Sequence, residues 1–359
     1  MQTAVADSLP SGAFSQVESG MPGVPELIVP KIELSASLTG EAADVTVSFT
    51  TFSELPADGQ VAVLLPNFQL CPSCSAATIS SVVGIDGTHS VSEGDSDHLT
   101  LFVTRVGGSV VARFTLVSFV LSGVTNRHWA GVATLGVETL NALGNFTFDS
   151  SAQASNVTIV QGAIVGAGIA LSDRRTGVET NVTVFFTLSS RNGLPADGLI
   201  VILFDGRMDV SILQSDSAVI VSGMDGVLST DVDGMHVTMT RSGGTAVLAD
   251  SEIVVLIQHV RNPLLVNTTG PVQVELATNE GDLIDEDLNL LAADVAPGNL
   301  TDTAVTLSDY RALIQAEYTV TFTTGAVGLP IGSTVIVTFP DTTTIDANSI
   351  ASGGATSVL

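Results

Sequence analysis

Of the side chains that can ligate a metal, attack or move a proton, carboxylates are plentiful in this chain of 359 residues, at 37 Asp and Glu, whereas there are only five histidines and two cysteines. Cys71-Pro-Ser-Cys74 is the one thiol pair. A redox dithiol needs its thiolate stabilised, usually by a helix N-terminus, and no helix is expected after Cys74. A local disulfide between Cys71 and Cys74, or two inert thiols, is therefore the expectation. A zinc site would have to recruit His89 and His98, which lie further apart than zinc-ligating histidines usually do.

Acidic loops suggest a different metal. Glu93-Gly-Asp95-Ser-Asp97, Asp231-Val-Asp233-Gly234 and Asp282-Leu-Ile-Asp285-Glu286-Asp287 present carboxylates at short spacing, which suits calcium, a hard cation that takes oxygen ligands. The last group is the candidate site: Asp282, Asp285, Glu286 and Asp287, close in sequence to Asp294 and Asp302. Solvated acidic turns are the alternative. Trp129, the single tryptophan, follows Arg127 and His128 in an expected turn. There it would stack on a sugar ring or anchor a partner, or else pack under a loop. Asn145, Asn156, Asn181, Asn267 and Asn299 each open an N-x-T triplet and are candidate glycosylation sites, which favours an extracellular location. No G-x-S-x-G elbow, H-E-x-x-H motif or lysine-bearing phosphate loop occurs. No catalytic residue is assigned, the chain is not expected to be an enzyme, and calcium is the only cofactor considered.

The composition narrows the partners. Lys and Arg number 11 against 37 Asp and Glu, for a net charge of −26, yet only 13% of residues are charged. Mean hydropathy is +0.47 and the pI about 4.1. A disordered chain would combine low hydrophobicity with dense charge. With Lys31 the only lysine, the surface should repel phosphate backbones and anionic headgroups, so no nucleic-acid partner is expected. The apolar stretches 109–124 and 163–171 are interrupted by Arg113 or too short to span a bilayer. The first residues show neither a basic nor a continuous apolar signal region.

The elements that would position these residues recur along the chain. Val45-Thr-Val47-Ser-Phe49 returns as Val182-Thr-Val184-Phe-Phe186 and as Tyr318-Thr-Val320-Thr-Phe322, each an alternating strand pattern. Leu55-Pro-Ala-Asp-Gly59 returns as Leu194-Pro-Ala-Asp-Gly198 and, more loosely, as Leu329-Pro-Ile-Gly-Ser333, a turn signal. A second alternating strand follows in each copy: Val61, Val63, Leu65; Ile200, Ile202, Phe204; Val335, Val337, Phe339. From the turn Leu to that strand is six positions in all three, while from the preceding Phe to the Leu is six, eight and seven. A slip within a strand would turn its apolar residues to the wrong face, whereas a loop absorbs insertions cheaply. Thr104-Arg105-Val-Gly-Gly108 also returns as Thr240-Arg241-Ser-Gly-Gly244, and Val117, Phe119, Leu121, Val124 and Asn126 align with Ile253, Val255, Ile257, Val260 and Asn262.

These periods predict an all-β chain of tandem β-sandwiches, which fit the repeat better than the alternative of a closed barrel: a flexible leader (1–27), repeat one (28–163), repeat two (164–301) and a truncated third repeat (302–359), to be completed by further chain or a partner. The alternating strands, the Leu-Pro-Ala-Asp-Gly turn, Phe339-Pro340 and the run into Val260-Arg-Asn-Pro263 resemble the Ig-like β-sandwich repeats of very large secreted or cell-surface proteins of bacteria and marine algae. Repeat one departs from that pattern with Asn126-Arg-His-Trp129. The resemblance implies a non-catalytic extracellular scaffold or adhesive role, as part of a stalk, fibre or matrix, with neighbouring repeats of the same or another chain as partners. The alternative is a calcium-assisted module that binds glycans or a cell surface. A hydrolase on a β scaffold is the third option.

Overall fold

The structure is a computed structural model and describes residues 24–71, 76–94, 99–287, 292–325, 327–329, 334–340 and 343–344. Among these there is no helix, as the alternation predicts. No helix of the described residues is long and apolar enough to cross a membrane. The chain divides into two compact units, Met1–Pro297 and Gly298–Leu359.

The first unit begins with strands β1 (Ile28–Leu34), β2 (Ala42–Thr50), β3 (Gln60–Leu65), β4 (Gln69–Leu70), β5 (Thr78–Val83), β6 (Thr88–Glu93), β7 (Leu99–Val106), β8 (Leu116–Thr125), β9 (Gly131–Leu140) and β10 (Thr147–Ile159). They form two sheets, β1-β2-β8-β4 with β5 also on β8, and β10-β9-β3-β7-β6. Val45, Val47 and Phe49 of one sheet and Val61, Val63 and Leu65 of the other are fully buried in one shared core. That common core makes the pair a sandwich.

A two-residue strand, β11 (Gly162–Ala163), leads into β12 (Val165–Leu171), β13 (Glu179–Thr187), β14 (Leu199–Leu203), β15 (Ala218–Ser222), β16 (Val227–Asp233), β17 (His236–Ser242), β18 (Glu252–Arg261), β19 (Asn267–Thr268), β20 (Gln273–Ala277), β21 (Leu283–Asp287) and β22 (Asp294–Val295). The sheets are β12-β13-β18-β15 and β11-β21-β20-β14-β17-β16, around a second core, with β19 paired to β22. The register repeats between the sandwiches. Val45, Val47 and Phe49 face Leu121, Phe119 and Val117, and Val182, Val184 and Phe186 face Ile257, Val255 and Ile253.

The recurrent arginine has a folding role. Arg105 and Arg241 are each 1% exposed and lie against the turn that follows β2 or β13. Arg105 donates from Nε to Gly59 O at 3.0 Å and from Nη2 to Pro56 O at 2.9 Å. Arg241 donates from Nη1 to Pro195 O at 3.0 Å, and to Thr245 O and Asp225 Oδ1. A Cβ at Gly244 would collide with the Arg241 guanidinium. The second glycine of each motif, Gly108 or Gly244, thus leaves the space beside the guanidinium, while the first, Gly107 or Gly243, takes a positive φ of +71° or +69°.

The second unit holds β23 (Thr301–Leu307) and β24 (Tyr318–Thr323), paired Val305 to Val320 and Leu307 to Tyr318. The expected third strand at Val335, Val337 and Phe339 is not a strand here, and Val335 and Val337 are exposed. Its counterparts β3 and β14 are hydrogen-bonded on both sides, by β7 and β9 and by β17 and β20. Among the described residues of this unit no such neighbours exist, and alternation without partners does not hold a central strand.

Candidate functional site

The best-built constellation of side chains lies where the first sandwich meets the second. The first sandwich contributes the turn at Thr39-Gly40 and the loop from Asn126 to Ala130. Asn126 donates from Nδ2 to Ala36 O and Leu38 O, at 3.1 and 2.9 Å, and so ties loop to turn. Gly40 has φ +63°, and a Cβ there would strike the Asn192 side chain and the Arg191 carbonyl. Only glycine takes that backbone conformation freely.

The second sandwich contributes β11, β21 and the loop between β13 and β14. From that loop Asn192, 1% exposed, donates from Nδ2 to Thr39 Oγ1 at 2.8 Å and to Asp285 Oδ1 at 2.7 Å. Thr39, fully buried, donates from Oγ1 to Ile284 O at 3.0 Å. Asp285 is fully buried, its Oδ2 has no hydrogen-bond partner, and a Cβ at Gly162 would collide with its Oδ1. His128 Nδ1 lies 3.0 Å from Asn192 Oδ1 and its Nε2 3.2 Å from Gln69 Oε1. Ala130 N–H donates to Leu283 O at 2.7 Å.

Trp129 packs against the second sandwich's core, although it belongs to a loop of the first. The Arg127 guanidinium lies 5.7 Å from its ring centroid and donates from Nε to its carbonyl. Burial lowers the Arg127 pKa, opposed by the charge of Asp282 from the second sandwich. Arg191 and Glu41 add an ion pair at 3.6 Å, half exposed and so a minor contribution. Chemically the junction is a desolvated hydrogen-bond network beside an aromatic anchor. Such an arrangement fixes an orientation, since buried polar groups tolerate only the geometry that satisfies them.

The four carboxylates of the candidate calcium site do not converge. Asp282 is exposed beside Arg127, Asp285 binds Asn192, and Glu286 accepts from Gln161 Nε2 at 2.5 Å. Asp287 ends β21 opposite Val274. Among the described residues no group of three or more His, Cys, Asp or Glu side chains is placed to hold a metal. Asp282 lies before β21, and within the strand the alternation turns Glu286 to the face opposite Asp285, since neighbouring residues of a strand point to opposite faces. Glu93 ends β6, and Asp231 and Asp233 are exposed on β16. Asp95, Asp97, His98 and Cys74 lie outside the described residues, and Cys71 is half-buried after β4. Of the N-x-T asparagines, Asn145, Asn156, Asn267 and Asn299 are exposed and Asn181 is half-buried on β13. Thr39, Asn192 and Gly162 were not anticipated from sequence. The one trace of them is the longer Phe186-to-Leu194 loop, eight positions against six in repeat one.

No family model matches the chain, and no curated protein matches it. Among solved structures it is similar to the C-terminal domain of the antigen I/II polypeptide BspA of Streptococcus agalactiae, at 9% identity over 74% of this chain and 97% of that one, with a TM-score of 0.28. It is similar to the N-terminal domain of the Streptococcus gordonii adhesin Sgo0707, at 12% identity over 71% and 60%, TM-score 0.29. A third is the B domain of a biofilm associated protein, at 8% identity over 74% and 85%, TM-score 0.24. At these scores the likeness is one of all-β architecture and carries no argument about function.

Proposed function

We propose that the chain is a non-catalytic structural module of an extracellular or cell-surface assembly, in which β-sandwiches follow one another as part of a stalk, fibre or matrix. The observation that carries this reading is the junction. A linker that merely tethers two domains would be polar and solvated. Here Thr39, Asn192 and Asp285 are buried together and Trp129 is inserted from one sandwich onto the core of the next. That investment has one mechanical consequence, a defined angle between consecutive units, which suits a scaffold. The charge of −26 supports solubility outside the cell, and the exposed N-x-T asparagines suit a secreted surface.

Small-angle scattering from the chain at low concentration tests the reading. The expected result is an elongated particle whose longest dimension matches sandwiches laid end to end, and which shortens or broadens in Trp129→Ala. A compact particle overturns it.

A further inference from the structure

Asn192, the centre of the clamp, is followed by Gly193, and theirs is the one Asn-Gly pair in the chain. In such a pair the glycine nitrogen, with no Cβ beside it, closes onto the asparagine side chain more readily than the nitrogen of any bulkier neighbour. The fold demands this glycine. A Cβ at Gly193 would collide with Val247 O, which is held in place by the paired hydrogen bonds between Leu194 and Val247 at 3.0 and 2.8 Å. The first sandwich has Ser53-Glu54 before its turn leucine, Leu55, and so carries no side-chain amide there. A side chain disposed to lose its amide thus stands at the place where the two sandwiches are clamped.

In the closed junction that loss is blocked. Asn192 Nδ2 is held by Thr39 Oγ1 and Asp285 Oδ1, its Oδ1 faces His128 Nδ1 at 3.0 Å, and the residue is buried. Bringing Cγ onto the Gly193 nitrogen means turning the side chain out of all three contacts, so the reaction runs only from molecules whose junction has opened. Once it has run, the junction cannot reclose as before. An acid at position 192 replaces the donor to Thr39 and Asp285 by a second carboxyl group, at a place where 2.7 Å separates Asn192 Nδ2 from Asp285 Oδ1. Two carboxylates that close cannot both stay ionised in a desolvated site, and sharing a proton between them is costly at neutral pH. An isoaspartyl product would also add a backbone atom to a loop already tight against Val247.

We propose that Asn192 is a deamidation site, and that loss of its amide releases the second sandwich from the first as a one-way step. The Gly193 nitrogen bonds to Asn192 Cγ, the Cγ–Nδ2 bond breaks, and ammonia leaves with the proton displaced from Gly193. Water then opens the resulting five-membered imide at either carbonyl, giving aspartate or isoaspartate. Nothing is oxidised or reduced, and water is the only co-reactant. The proposal rests on the scaffold reading above and deepens it, because it gives the fixed angle between the sandwiches a lifetime. A junction that stays closed is protected, whereas one that is pulled open ages and does not recover.

Two measurements on the full chain test this. The first incubates the parent and Trp129→Ala for weeks at mildly alkaline pH and follows position 192 by peptide mapping that separates asparagine, aspartate and isoaspartate. Because opening is the gate, the variant should lose the Asn192 amide at least about tenfold faster, with circular dichroism certifying that its sandwiches stay folded. The second measurement asks what the product does, using freshly prepared Asn192→Asp. Trp129 is the only tryptophan, so its quenching by acrylamide at neutral pH reports the junction, and it should be stronger in this variant than in the parent. Adding Asp285→Asn, which restores one amide and one carboxyl group to the pair, should reverse the change. Equal rates in the parent and Trp129→Ala, no acid at position 192 in either, an Asn192→Asp chain that shields Trp129 as the parent does, or a double variant as open as the single one overturns the proposal. None of those outcomes touches the scaffold reading, which is measured by scattering from the fresh parent chain.

Discussion

The two sandwiches of the first unit share their devices and differ in how they use one of them. Each has a buried arginine on its Leu-Pro-Ala-Asp-Gly turn, Arg105 or Arg241, an asparagine tying loop to turn, Asn126 or Asn262, and a buried aspartate, Asp149 or Asp285. In the first sandwich the aspartate caps its own loop, accepting from the N–H groups of Phe52 and Ser53 at 2.9 to 3.0 Å. In the second, a loop two residues longer carries Asn192 to the aspartate instead, and the same amide reaches Thr39 of the neighbour. A small insertion thus turns an internal cap into a clamp between domains. Loop insertions cost little in closure entropy, so such a change leaves the sandwich intact while creating an interface.

Replacing the arginines tests the equivalence of the sandwiches hardest. Arg105→Ala and Arg241→Ala each leave several buried carbonyls without a donor, and each should cost about 3 kcal/mol or more in denaturant unfolding. Markedly unequal costs would break the equivalence. Next in size is Trp129→Ala, about 2 kcal/mol, less than for a wholly buried tryptophan because the ring is only half buried. Calorimetry should show the transitions of the two sandwiches separating in this variant, since the anchor spans them. If they stay merged, the junction does not couple the folds.

A smaller effect isolates the clamp. A double-mutant cycle of Asn192→Ala and Thr39→Val, read by urea unfolding through Trp129 fluorescence, should give a coupling of about 1 kcal/mol. Additive costs would mean that the short distances carry no energy. The smallest effect is set by pH. The Thr245 backbone N–H, followed by the Arg241 guanidinium, depresses the Asp225 pKa from 3.8 to about 2. Its stabilisation is present above the ordinary carboxylate range and is lost as the pH falls through about 2. Asp225→Asn should therefore lower the melting temperature at pH 6, with the gap to the parent narrowing from about pH 4 and closing near pH 2. Asp86, depressed mainly by the Ser109 side chain, should behave likewise in the first sandwich. A gap independent of pH would remove these hydrogen bonds from the account.

Much of the fold was legible because a strand writes itself locally. The period-two alternation of Val45, Val47 and Phe49, or of Val182, Val184 and Phe186, states which face is buried. The Thr-Arg-x-Gly-Gly recurrence was visible as a pattern, though not as a buried guanidinium in the space that the second glycine leaves. The third copy marks the limit of that legibility: Val335 and Val337 have the right spacing and form no strand, because alternation specifies a face and not the neighbours a strand must bond to. The acidic run from Asp282 to Asp287 misled in a related way. Its residues are close in sequence, but Asp282 lies before β21 and faces Arg127, while the pleat sends Asp285 to Asn192 and Glu286 to Gln161.

The order of residues by itself determined that this protein is all-β, where its apolar faces lie and which turns recur, since each depends on contacts a few positions apart. Only the tertiary structure decided the junction. Thr39, Asn192 and Asp285 are separated by 153 and 93 positions, and no local period relates them. Trp129 shows the same division. Its place in a turn was readable from its neighbours, but the core it covers belongs to another sandwich, and that pairing exists only once both have folded.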